Sequence, residues 1–147
     1  MSFTDRVRRP KQFDTLMQRL GGQSDKAEKA FDSLKSVLMF SASLAVAKGL
    51  EQKPFEQSAE KISLSVFSGP FDRAFIAALA LSRTKDVSIL HPERVTDQIQ
   101  IFEEMAAAGL EWIDKEIESY AGEDEVYFRQ LVATIGYKEQ DIIDNYL

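Results

Sequence analysis

Two sets of charged side chains are the residues in this chain whose types and spacing could do chemistry. Arg6, Arg8, Arg9 and Lys11 fall close together with only Asp5 beside them. Guanidinium and ammonium groups crowded in this way can neutralise phosphates and release counterions without reading base sequence. Glu103, Glu104, Glu111, Asp114 and Glu118 recur at spacings that gather them toward one side of a helix. Such a stripe could mimic phosphates, hold a divalent ion, supply a carboxylate pair or dock a basic partner. Each set also has a plain reading: an N-terminal arm whose arginines pair with the acidic second half, and a helix face kept acidic for solubility. The plain readings carry more weight. No recognised DNA-binding motif accompanies the arginines, and no histidine or second acidic cluster supports the carboxylates.

Little else offers a reaction centre. The chain has no cysteine, which removes disulfides, thiolate nucleophiles and cysteine-held metals. His91 is the one histidine, so multi-histidine metal sites are excluded. It precedes Pro92, where a turn into a helix is favoured, and a structural role outweighs acid–base work. Ser65, Ser68, Ser82 and Thr84 lie in neither a glycine-framed elbow nor a phosphate-cradling loop. The sequence therefore predicts a protein that is not an enzyme and has no metal or cofactor.

The elements that must position these residues are mostly helical. With 147 residues, 44% hydrophobic and 29% charged, one compact core is expected. Pro10 suits a first helical position, and Phe13, Leu16, Met17 and Leu20 follow on one face until Gly21-Gly22. A second helix is expected from Ser24 or Asp25 to Lys48, ending at Gly49. Its first half is amphipathic through Ala27, Ala30, Phe31, Leu34 and Leu38, and its almost wholly apolar second half reads as the central core element. Residues 51–61 form a polar connection containing Pro54. Ile62 to Val66 alternates with period two, an extended segment near residues 60–68. An alanine-rich helix from Phe71 to Ser82 follows, packed closely through Ala74, Ala77, Ala78 and Ala80.

The longest helix spans roughly Glu93 to Tyr120. Val95, Ile99, Phe102, Ala106, Leu110, Ile113 and Ile117 lie along one side, and Met105, Gly109 and Trp112 widen that arc to nearly half the circumference. A last helix is expected near Asp124 to Ile135, with residues 136–147 as a tail. The fold class is thus all-α or mainly α: a single domain, residues 1–147, of about five helices with one short extended segment and a basic arm over residues 1–10.

Charge is unevenly placed. Residues 1–61 hold eleven Lys/Arg against eight Asp/Glu, residues 62–147 seven against sixteen, and the total is −6. No secretory signal is visible, and the apolar run from Val37 to Ala47, broken by Ser41 and Ser43, is too short to span a bilayer. A cytoplasmic protein without membrane contact is expected.

Several phrases in order, RRPKQFDTL, VLMFSASLAVAKG, ISLSVF, FDRAFIAALAL, SRTKDVSIL and IFEEMAAAGLEWI, resemble the small Dnd system-associated protein family found beside bacterial DNA phosphorothioation genes. The resemblance covers about residues 6–118 and leaves the chain after Tyr120 outside it. It implies an accessory component of systems that replace a non-bridging phosphate oxygen of DNA by sulfur, or that restrict DNA lacking the mark, in antiphage defence. No catalytic residue carries over. The resulting expectation is a non-enzymatic adaptor that binds protein components of a modification or restriction complex. Glu103, Glu104, Glu111, Trp112, Ile142, Ile143 and Tyr146 are its candidate partner contacts, with weak DNA-backbone contact through Arg6, Arg8, Arg9 and Lys11. The alternative is a DNA-binding regulator of such a locus that uses the same basic arm. A small hydrolase or nuclease ranks last.

Overall fold

The computed structural model describes residues 5–22 and 30–119. It is mainly α, with α1 (Asp14–Gly21), α2 (Leu34–Ala47), α3 (Pro70–Thr84) and α4 (Val95–Ser119), joined by short 3-10 turns. Two short strands, β1 (Arg6–Val7) and β2 (Ile62–Ser63), pair antiparallel. The expected fifth helix and the tail lie outside the described residues.

Local chemistry sets the helix limits. α2 begins at Leu34, because Ser33 is extended and its hydroxyl accepts the Ser36 N–H at 3.1 Å, forming the N-cap; the expected start at Ser24 or Asp25 lies outside the described residues. Its far end closes at Gly49, whose φ of +65° lets the Gly49 N–H reach Val46 O at 3.1 Å and the Leu50 N–H reach Ala45 O at 2.9 Å. Pro70 opens α3 and left-handed Lys85 (φ 54°) closes it. Asp86 then caps the 3-10 turn Val87–Leu90 by accepting the Ser88 N–H, and His91 Nδ1 accepts the Glu93 N–H at 3.1 Å to cap the next turn. His91 is thus a structural residue of the entry to α4.

The central element is α4, where the sequence pattern favoured α2. Every residue from Phe102 to Leu110 is buried, so the middle of α4 is enclosed on all sides. α2 crosses it where Gly109 meets the backbone of Ser41, a Cβ on Gly109 standing only 2.6 Å from the Ser41 carbonyl carbon. α3 packs alongside through Phe75, whose ring meets Phe102 edge-on at 6.3 Å, and Phe67 meets the same ring at 5.7 Å. The remaining side of α4 is covered by the basic N-terminal arm.

That arm is part of the fold. β1 pairs with β2, and the ladder continues irregularly: Leu64 N–H bonds to Asp5 O at 2.8 Å, Ala59 N–H to Arg9 O at 2.9 Å and Lys11 N–H to Gln57 O at 3.0 Å. Only Ile62-Ser63 is strand. The alternation stops there because the Ser63 hydroxyl accepts the Ser65 N–H and starts a 3-10 turn over Leu64–Val66.

Candidate functional site

Residues 5–11 form a strap across the middle of α4, and the connection from Leu50 to Ser63 lies beside it. Val7 and Pro10 are buried and hold the strap down, while Phe13 in the following turn anchors it to the core. Arg6 and Arg8 fall on the side opposite buried Val7; Arg6 is exposed, while the longer reach of Arg8 brings its guanidinium to Glu103 of α4.

Glu103 is only 3% exposed. One carboxylate oxygen accepts the Arg8 backbone N–H at 2.6 Å, and the other accepts Arg8 Nε at 3.0 Å. Burial holds the Glu103 carboxyl above the usual carboxylate range, outweighing the opposing pull of the Arg8 bonds. Arg8 also donates from Nη1 to Phe55 O at 3.2 Å, and its guanidinium lies 4.5 Å over the Phe55 ring. Neighbouring Glu104, 8% exposed, accepts from Gln52 and Gln100 at 3.2 Å each, while its backbone carbonyl takes the Lys53 N–H.

Arg9 is also buried, at 3% exposed. It donates from Nε to Glu60 O at 2.7 Å and from Nη1 to Asp14 at 2.6 Å, and its backbone N–H bonds to Ser58 Oγ. Of the four basic residues singled out in the sequence, the fold therefore leaves only Arg6 and Lys11 exposed. Arg8 pairs with the acidic second half, whereas Arg9 pairs within the first.

The acidic stripe divides in the same way. Glu103 and Glu104 are interior, correcting the expectation of a solvated face and removing both from any outer partner surface. Glu111 is half-exposed and paired with Lys53 at 2.5 Å and Lys115 at 3.4 Å, and these cations hold its carboxyl below the usual range. Trp112 is half-buried with Lys48 Nζ 5.0 Å over its ring. Asp114 is partly covered and Glu118 exposed. Ile142, Ile143 and Tyr146 lie outside the described residues.

Beside the strap, a cleft of ≈ 440 Å³ is lined by Asp5, Arg6, Arg8, Lys61, Thr96, Ile99, Gln100 and Glu103. Lys61 and Gln100 were not foreseen; Lys61 reaches this rim because β2 pairs with β1. The uneven charge of the chain points to arginines pairing with the acidic second half, and Arg8 makes that pairing with Glu103. Nothing in the spacing marked Phe55 as a neighbour of Arg8, or Ser58 and Glu60 as neighbours of Arg9. Among the described residues, no three or more His, Asp or Glu side chains are grouped to hold a metal ion, and no helix is long and apolar enough to cross a membrane.

Fold and site together define a mainly α single domain whose N-terminal segment is stapled onto its central helix by an ion pair between half-buried Arg8 and buried Glu103. The chain belongs to the family described as DNA sulphur modification system-associated protein 4, whose model matches residues 6–143. The match runs well past residue 118, so the segment after Tyr120 belongs to the family pattern and is not an addition to it. No curated protein and no solved structure matches the chain.

Proposed function

We propose that this protein is a non-enzymatic adaptor of its DNA sulphur modification system, in the cytoplasm, working through protein contacts in modification or in linked antiphage restriction. The observation that supports this reading is the commitment of Arg8 and Arg9 to Glu103, Asp14 and backbone carbonyls, which removes the centre of the basic cluster from phosphate contact. The net charge of −6 also opposes DNA approach. With Glu103 and Glu104 interior, the proposed partner surface contracts to Glu111, Trp112 and the C-terminal residues Ile142, Ile143 and Tyr146.

The regulator reading keeps one supporting observation: Arg6, Lys11 and Lys61 are exposed near the strap. The two readings separate in one experiment. Tagged protein is purified from its host after nuclease treatment, and co-eluting proteins are identified and quantified. The adaptor reading expects a modification or restriction component in stoichiometric amount, reduced by Trp112→Ala or Glu111→Lys. Elution alone, together with promoter-duplex binding at physiological salt that falls on replacing Arg6, Lys11 and Lys61, would replace it with the regulator.

A further inference from the structure

The cleft beside the strap gathers cations that the fold itself does not use. β1 pairs with β2 in the register Arg6↔Ser63 and Val7↔Ile62, and continuing that register by one residue sets Lys61 opposite Arg8. Val7 is buried on one side of this ribbon, so Arg6, Arg8 and Lys61 share the other. Like charges placed opposite one another cost stability. Only Arg8 is relieved, by Glu103. Arg6 and Lys61 are exposed, and among the described residues neither side chain has a hydrogen bond or an ion pair, although Asp5 lies on the same rim. Arg8 in turn keeps its Nη2 free, because Nε goes to Glu103 and Nη1 to Phe55 O.

The opposite wall is neutral. Thr96 and Gln100 stand one turn apart on α4, both exposed, with buried Ile99 between them. Gln100 donates to Glu104 at 3.2 Å, which leaves its amide oxygen open as an acceptor, and the Asp5 carboxylate is open as well. Free cations beside open oxygen acceptors complement a ligand that carries an anionic group together with hydroxyl or amino donors. The cleft volume of ≈ 440 Å³ lies within the range of roughly 300–1,000 Å³ that encloses small organic ligands, and it exceeds what an inorganic anion fills.

We propose that this cleft binds a phosphate monoester on a hydroxyl-bearing carrier of nucleotide size, such as a nucleoside monophosphate. Arg6 and Lys61 hold the phosphate, and Arg8 Nη2 supplies a further donor. A phosphate monoester carries about −1.5 to −2 charges at neutral pH, which the two free cations match. Asp5 and Gln100 accept from the carrier's hydroxyl or amino groups. Arg6 and Arg8 belong to the strap, Lys61 to the connection before β2 and Gln100 to α4, so the bound ligand ties three segments together. It therefore stabilises the folded chain as its concentration rises above the dissociation constant. The cleft lies apart from Glu111 and Trp112, further along α4, and the ligand site stands whether or not that surface docks a partner.

Isothermal titration of the full chain at about 0.15 M salt tests this with adenosine 5′-monophosphate, ribose 5-phosphate, adenosine and inorganic phosphate. The monophosphate should bind with a dissociation constant on the order of 100 μM and raise the thermal transition, and adenosine should do neither. Ribose 5-phosphate binding as tightly as the nucleotide assigns the carrier to sugar phosphates; weaker binding assigns it to nucleotides. Arg6→Gln and Lys61→Gln should each weaken the nucleotide at least about tenfold without changing the thermal transition of the free chain. Lys11→Gln, an exposed cation of the strap outside the cleft, should leave binding unchanged. Neither heat nor a thermal shift with the two phosphate esters at about 10 mM overturns the proposal. So does inorganic phosphate binding as tightly as the nucleotide, which would show an adventitious ion only. A DNA duplex that binds through Arg6 and Lys61 while the nucleotide does not overturns it too, and gives these cations to a nucleic-acid backbone.

Discussion

Arg8 holds Glu103 with two donors, yet burial still disfavours the charged carboxylate, and this opposition gives the pair a readable pH dependence. Glu103 has a folded value above its ordinary 4.5. The native chain therefore keeps a proton that the unfolded chain releases, and the associated stability is complete below the ordinary value and lost as pH rises through the raised one. Arg8→Met removes the guanidinium donor and its charge, leaves the backbone N–H, and pushes the Glu103 carboxyl further up. At neutral pH the variant should lose about 3–5 kcal/mol, because a buried charge has lost its partner. The loss should shrink at mildly acid pH as Glu103 takes up a proton. Urea denaturation at the two pH values checks this; a penalty that does not change with pH would mean the charge is not its source. Glu103→Gln keeps an oxygen acceptor without the charge and should cost less than Arg8→Met. Glu111 has the opposite sign: its lowered carboxyl contributes stability above the ordinary value and loses it as pH falls.

Among the elements, the crossing of α2 over α4 depends on what is missing from position 109. Gly109→Ala would drive its Cβ into the Ser41 carbonyl, and backbone cannot swing aside as a side-chain end can. A thermal denaturation series should show a loss of about 3 kcal/mol or more, at the upper end of overpacking penalties. Ser41→Ala at the same crossing should be neutral or stabilising by up to about 1 kcal/mol, since the buried Ser41 hydroxyl has no hydrogen-bond partner. Ser33→Ala should cost about 1 kcal/mol through the lost cap of α2. At this scale much was legible in the sequence. Helical spacing, Gly21-Gly22, Gly49, Gly69-Pro70 and His91-Pro92 punctuated the chain where elements do change. The start of α2 at Leu34 was less legible, because Ser24 and Asp25 are as chemically suited to capping as Ser33. The burial of Glu103 and Glu104 was hidden for a related reason. A helical wheel separates charged from apolar positions but does not show that a distant strand will cover the charged ones.

Across the whole molecule, that covering strand joins residues far apart in sequence into one unit. The strap is held by β1–β2 pairing, by the Leu64, Ala59 and Lys11 amide bonds and by the Arg8–Glu103 pair, which is its strongest link to α4. The Lys53 amide, bonded to Glu104 O, ties the neighbouring connection to the same face. Opening the strap exposes few core side chains beyond Val7, whereas opening α4 exposes the enclosed run from Phe102 to Leu110. The molecule should therefore open in two steps of different free energy. Native-state hydrogen exchange should find the amides of Lys11, Lys53, Ala59 and Leu64 exchanging together, ahead of those in the middle of α4. Arg8→Met should accelerate that group selectively and as a set, because it removes the common anchor and leaves the helix hydrogen bonds intact. If the four amides instead exchange one by one, or keep pace with the middle of α4 in both proteins, then the strap is not a separate unit. In that case the arginine–glutamate pair would belong to global stability alone.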